Sequence, residues 1–204
     1  MAITNGYCTL NDIKAALRIT DSVDDALLEL SVEAASRQID GATDRIFYNA
    51  GSATRVFLPT DPYACEIDDL VSLTSLKTSS AADGNFDVTW TSTDYEAHPL
   101  NGLSGGQYWP TNEFKAIGDY LFPVWTTSTT NSNEATVQVT GTWGWSSVPT
   151  AIKQATILLA MRQFKRYDSP LGVAGFGDLG AIRVGKLDPD VDALVMPYKK
   201  VTAA

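Results

Sequence analysis

Two cysteines, one histidine and three methionines are all the thiol, imidazole and thioether chemistry that these 204 residues offer. Cys8 and Cys65 lie far apart without metal-ligand spacing, and two are too few for a disulfide framework, so a reducing cytosol is expected. Long apolar runs are missing as well. The longest, residues 157–161, falls far short of the ~20 residues that a bilayer requires, so no membrane contact is expected. The opening MAITNGYCTL has no basic segment ahead of an apolar one, and no secretory signal is expected from it. Positive charge is scarce: 15 Lys and Arg stand against 24 Asp and Glu, a net −9. Residues 51–150 hold eleven acids and three bases, and residues 151–204 hold five and eight. A sequence-independent nucleic-acid binder gathers Lys and Arg against phosphates, which this chain does only mildly near its end. Tight DNA binding is therefore not expected, and an acidic surface suits a wall past which DNA slides.

What is present is a globular composition, 44% hydrophobic and 19% charged, long enough to bury a core. Thr9 and Asp12 have the spacing of a helix capping box, and Leu10, Ile13, Ala16 and Leu17 share a face behind it. Ser22 or Asp24 starts a longer helix with apolar positions Leu27, Leu30, Ala34, Ile39 and Ile46, expected to end at Asn49-Ala50-Gly51. Its small residues Ala34, Ala35, Gly41 and Ala42 permit close approach of a helix, from the same subunit or from a neighbouring copy. From about residue 52 to 142 helical periodicity disappears. Residues 55–58, 70–76, 86–91 and 135–140 read as strands, Asp83-Gly84 as a hairpin turn, and residues 126–133 as an exposed polar loop.

The strongest helix follows. Pro149 suits its start, and two stripes (Ile152, Ala155, Leu159 and Ile157, Met161, Phe164) imply more than one packing neighbour. Lys165 and Arg166 complement the negative end of its dipole, and Ser169-Pro170 stops it. A glycine-rich loop, a strand-like Ala181-Ile182-Arg183-Val184 and a last helix capped by Asp188, with Pro189 first and Val191, Leu194 and Val195 on one side, complete the chain. The expected fold class is α+β: a small helical core from residues 1–51 and 143–204 with a β-rich module, residues 52–142, inserted.

Four patterns imitate chemistry. Gly175-x-Gly177-x-x-Gly180 lacks the preceding strand and following helix of a dinucleotide site. Gly102-x-Ser104-x-Gly106 has its only histidine, His98, ahead of the serine, and Pro110 where a helix should run, so a loop serine is expected. Asp188, Asp190 and Asp192 resemble a calcium loop, but Ala193 replaces its glycine and Lys199 its bidentate acid. Glu66, Asp68 and Asp69 read as a solvated acidic turn. No catalytic residue, metal or cofactor is expected. Trp143 and Trp145 are candidates either for an interface, where aromatics concentrate, or for the core. Trp90, Trp109 and Trp125 leave open a carbohydrate- or surface-binding module.

Residues 141–198 also carry a resemblance. A glycine-tryptophan turn (Gly141, Trp143, Gly144, Trp145) enters a Val148-Pro149 helix start. An alanine-rich helix follows, ending in Arg162, Lys165, Arg166 and Tyr167. A Ser169-Pro170-x-Gly172 loop comes next, and an Asp-Pro helix closes on Pro197-Tyr198. Together with residues 7–48, and their Leu-x-Asp-Ile-Lys opening, this resembles the head–tail connector (adaptor) proteins of tailed bacteriophages. The resemblance implies a non-enzymatic virion protein, made in the host cytoplasm, whose copies form a ring, as a dodecamer, beneath the portal. The ring would extend the channel for packaged DNA without binding it specifically and dock the next neck or tail protein. Another neck or tail-completion protein is the nearest competitor. Candidate interface residues are then Trp143, Trp145, Arg162, Lys165, Arg166, Tyr167, Ile182, Arg183, Val191, Leu194 and Tyr198. The basic trio Arg162, Lys165 and Arg166 is assigned to an acidic face of the adjacent subunit in preference to DNA. The segment from residue 169 onward is expected to order on contact with a neighbour or the portal. Deleting residues 188–204 is expected to abolish portal attachment and leave a folded monomer.

Overall fold

A computed structural model describes residues 2–81, 83–124, 135–167 and 189–200. The fold is α+β, as expected, and divides into two compact units: Met1–Tyr48 with Val148–Ala204, and Asn49–Ser147.

The first unit is helical. Helix α1 spans Leu10–Leu17 and starts at the expected capping box, with the Thr9 side chain accepting from the Asp12 N–H and the Asp12 carboxylate accepting from the Thr9 N–H. Helix α2 spans Asp25–Thr43. It stops earlier than its apolar periodicity predicts, because Asp44 turns into the left-handed region (φ 54) and returns its N–H to the Asp40 carbonyl. Aspartate tolerates that conformation better than most residues. Ile46 therefore lies beyond the helix, and Asn49–Phe57 is a strand. The buried face of α2 also differs from the one read in the sequence. Leu28, Val32, Ala35 and Ile39 are in the core, whereas Leu27, Leu30 and Ala34 are exposed. The helix carries two adjacent apolar stripes, and among the described residues only one is buried.

Helix α3, Thr150–Tyr167, buries Ile152, Ala155 and Leu159, the first of its predicted stripes. The second stripe, Ile157, Met161 and Phe164, is half-buried. Lys153 ties α3 to α1 through Asp12 at 2.8 Å. Burial raises the Asp12 carboxyl, but hydrogen bonds from Lys153 and from Thr9 outweigh it and hold it at about 2. A carboxylate depressed in the fold stabilises fully above its unfolded value, near 4, and loses that contribution as pH falls towards 2. The stability gap between wild type and Asp12→Asn, read from denaturant midpoints, is expected to be open at pH 6 and to close by pH 2.

The short helix α4, Pro189–Val195, and the 3-10 turn Met196–Tyr198 seat the end of the described chain on this unit. Its Pro189 start is the one expected; Asp188, the predicted cap, lies outside the described residues.

The second unit is an antiparallel sheet. Among the described residues its strands are β1 (Asn49–Phe57), β2 (Ala64–Thr78), β3 (Val88–Trp90), β4 (Tyr95–His98), β7 (Thr111–Ala116) and β8 (Val137–Gly144), with a separate hairpin of β5 (Leu103–Ser104) and β6 (Gln107–Tyr108). The spatial order is β1-β8-β2-β7-β4, and β3 adds to β2. The long β2 organises it: β8 lies along one edge, while β7 and β3 share the other. Its bulges break strict alternation. The core is Cys65, Ile67, Leu70, Leu76, Trp90, Phe114, Phe122, Val137, Val139 and Trp143. Trp90 stacks on Phe122 at 4.5 Å and donates its Nε1–H to Thr78.

Both cysteines are buried and free. Burial, with Asp12 adding and Lys153 opposing, pushes the Cys8 thiol up to about 12. Burial, with Glu66 and Glu113 adding, does the same for Cys65, also to about 12. At pH 8 about one thiol in 10,000 is then thiolate, roughly a thousandfold below an ordinary cysteine. A thiol-reactive disulfide reagent is expected to label neither residue in the native protein and both in denaturant.

Candidate assembly surfaces

The end of the described chain is held from several sides. Tyr198, 3% exposed, meets the Phe47 ring edge-on at 5.6 Å, and Phe47 meets Tyr7 in the same way. Arg45 Nε donates to the Tyr198 carbonyl at 2.8 Å, and the Lys200 N–H donates to the Thr43 carbonyl at 2.9 Å. Beneath this lies a polar node. The Tyr7 hydroxyl accepts the Phe47 N–H at 2.9 Å and donates to Asp40, which also pairs with Arg37 at 2.8 Å. Burial first, then the Asp40 hydrogen bond, raises the Tyr7 hydroxyl far above the ordinary phenol range, so it stays a donor. Val191 is buried too, and Leu194 half-buried. Of the candidate interface residues in this segment, Val191 and Tyr198 thus face the interior of their own unit, because the Tyr7–Phe47 aromatic pair offers Tyr198 a third ring position.

The C-terminal end of α3 carries exposed side chains. Lys165, Arg166 and Tyr167 are exposed, Tyr167 by 53%, and Arg162 is half-buried. The helix carries four bases and no acid over its 18 residues. Gln163 donates to Gln38 at 3.1 Å, which places this end beside the C-terminal half of α2. On the N-terminal half of α2, Leu27 and Leu30 are 39% and 44% exposed, and Val23, in the turn before it, is 85% exposed. Asp21 accepts the Val23 N–H at 3.1 Å and fixes that turn. Residues 19–36 hold five acids and no base.

Trp143 and Trp145 lie in the sheet unit as core residues, 0% and 4% exposed. The Trp143 Nε1–H reaches the Ala53 carbonyl at 2.8 Å, with the Arg55 guanidinium 4.5 Å from its ring centroid. Trp145 donates to the buried Asp69 at 2.7 Å and meets Trp109 edge-on. Their burial removes them from the exposed surface of the subunit. Glu66, Asp68 and Asp69 are inside β2, not a solvated turn: Asp68 pairs with Arg55 at 2.7 Å and Asp69 takes the indole. With Trp90 stacked in the core and Trp109 packed on Trp145, these rings form no aromatic platform; Trp125 lies outside the described residues. Ser104 is exposed on the β5–β6 hairpin, and His98 faces Glu96 at 3.1 Å. Ile182, Arg183, the glycine-rich loop and its G-x-G-x-x-G pattern also fall outside the described residues. Among those described, no three or more His, Cys, Asp and Glu side chains gather as metal ligands, and no helix is long and apolar enough to cross a membrane.

Comparison with known proteins bears first on the α1–α2 stretch and the strands that follow it. Residues 7–73 match the phage gp6-like head-tail connector protein family. The match covers α1, α2, β1 and the first part of β2, so the connector resemblance of the N-terminal stretch is shown. Over its whole length the chain shares its fold with a chain of a solved structure, the neck of an empty GTA particle computed with C6 symmetry. The TM-score is 0.57 at 19% identity, covering 100% of this chain and 95% of that one. At that identity the likeness is one of fold. No curated protein matches the sequence.

Proposed function

We propose that this chain is a structural head-to-tail connector of a tailed phage or phage-like particle, with no catalytic role. Its copies assemble as a ring beneath the portal, extend the DNA channel and dock the next neck or tail protein, so the mature protein resides in the virion neck. The observation that carries this reading is the connector-family match across residues 7–73, and the full-length likeness to a chain of a particle neck supports it. A C6-computed particle is compatible with twelve copies per ring. The excess of acids in residues 51–150, eleven to three, suits a protein alongside DNA that must pass without sticking.

Negative-stain electron microscopy of the purified protein at high concentration tests the reading. Closed rings with an open centre support it, since closed heterologous contacts generate such assemblies. If the protein stays monomeric, portal protein is added; failure to bind there as well would overturn it.

A further inference from the structure

The second apolar stripe of α2 is exposed among the described residues, and its charge names a partner. We infer that the face formed by Val23, Leu27 and Leu30 receives the C-terminal end of α3, Lys165, Arg166 and Tyr167, of a second copy. This deepens the connector reading and rests on it.

The two surfaces are complementary in kind. The first is exposed and apolar, within residues 19–36, which hold five acids and no base. Lys14 reaches Asp25 at 2.6 Å and Arg37 lies 3.9 Å from Glu33. With Arg37 and the Lys153 that pairs with Asp12 both counted, the six acids of residues 1–36 still stand against four bases, so the balance stays negative. The second surface sits on a helix without acids and pairs two exposed cations with a half-exposed phenol ring. Opposite fields steer and orient association, while apolar and aromatic groups hold it.

The two surfaces cannot satisfy each other within one chain. Gln163 touches Gln38, eleven residues along α2 from Leu27; at helical rise that is about 16 Å. An acidic face against its own copy would repel, which disfavours a two-fold dimer. A patch at one end that fits a different patch at the other is a heterologous contact, and such contacts propagate into rings or filaments.

Complementation by mixing tests this. Leu27→Asp cripples the first surface, and Arg166→Glu, with Lys165→Glu, the second; all three residues are exposed, and circular dichroism confirms folding. Each variant alone is expected to self-associate at least ~10-fold more weakly than wild type in sedimentation velocity without DNA. Mixed, they retain one intact surface each and are expected to form a 1:1 heterodimer that grows no further. Rings from either variant at wild-type concentrations would overturn the interface and leave the connector reading standing. A mixture with no heterodimer, or a wild type monomeric throughout, also overturns it, and portal co-sedimentation then decides the connector reading separately. Undiminished assembly with lost DNA retention would assign the basic end to nucleic acid instead.

Discussion

Gly141→Val is expected to destroy the sheet unit. Gly141 sits in β8 with Ala53 of β1 paired on one side and Leu73 of β2 on the other. A Cβ built there would lie 2.8 Å from Leu70 Cδ1 and closer still to the Ser72 carbonyl oxygen. A side-chain methyl can move aside; a strand carbonyl that belongs to the ladder cannot, so β2 and β8 must separate at the centre of the core. Even Gly141→Ala meets the carbonyl, and a cost of roughly 3 kcal/mol or more is expected, with valine worse. The thermal midpoint of the alanine variant should fall by about 10 °C, and near-ultraviolet dichroism from the buried Trp90 and Trp143 should vanish in the valine variant. Gly41→Ala is the control. A Cβ there meets nothing within 4 Å, and in an exposed position inside α2 it should raise stability by about 0.5–1 kcal/mol. Equal melting of Gly141→Ala and wild type would show that the β2–β8 contact is looser than the geometry requires.

That glycine opens the tryptophan turn quoted for the family resemblance, and the structure gives it a steric reason. Other features were legible for equally local reasons. The Thr9–Asp12 box and the apolar, proline-led α3 announce themselves because a few neighbouring residues decide them. The sheet was only half legible. Strands β4 to β7 are short and largely half-buried or exposed, so they show no two-residue alternation, and the pairing of β7 with the distant β2, and of β4 with β7, is decided by packing alone. The carboxylates of β2 misled for a related reason: a run of acids reads as solvent-facing until Arg55 and Trp145, distant in sequence, supply partners. On α2 the periodicity was real but doubled. Two apolar stripes on one helix tell of two partners, and sequence cannot say which is covered within the subunit. Leu28, Val32 and Ile39 take the inward side, which leaves Val23, Leu27 and Leu30 exposed.

Deleting the segment from residue 188 onward is expected to unfold the helical unit as well as to prevent attachment, which changes the meaning of that experiment. From its sequence this segment is expected to order on contact with a neighbour or the portal, which would leave the deleted chain folded. The structure instead buries Val191, Val195 and Tyr198, each at most 3% exposed. Burying such side chains stabilises by about 1.5–3 kcal/mol apiece, partly offset by the entropy of ordering the segment. A net loss of about 3–5 kcal/mol is expected on deletion, a large part of the margin of an ordinary domain. Removing Tyr198 alone, as Tyr198→Ala, should cost about 3 kcal/mol, because it opens a cavity beside Phe47 and strips cover from the Tyr7–Asp40–Arg37 node. Failure of the deleted chain to bind portal would therefore report unfolding as readily as a lost contact. Met196, 66% exposed in the same segment, separates the two: Met196→Asp should melt with the wild type, within about 0.5 kcal/mol. If Met196→Asp then fails to co-sediment with portal, the segment makes the contact itself. If it binds as wild type does while Tyr198→Ala melts early, the segment is a buried brace of the helical unit, and attachment lies elsewhere.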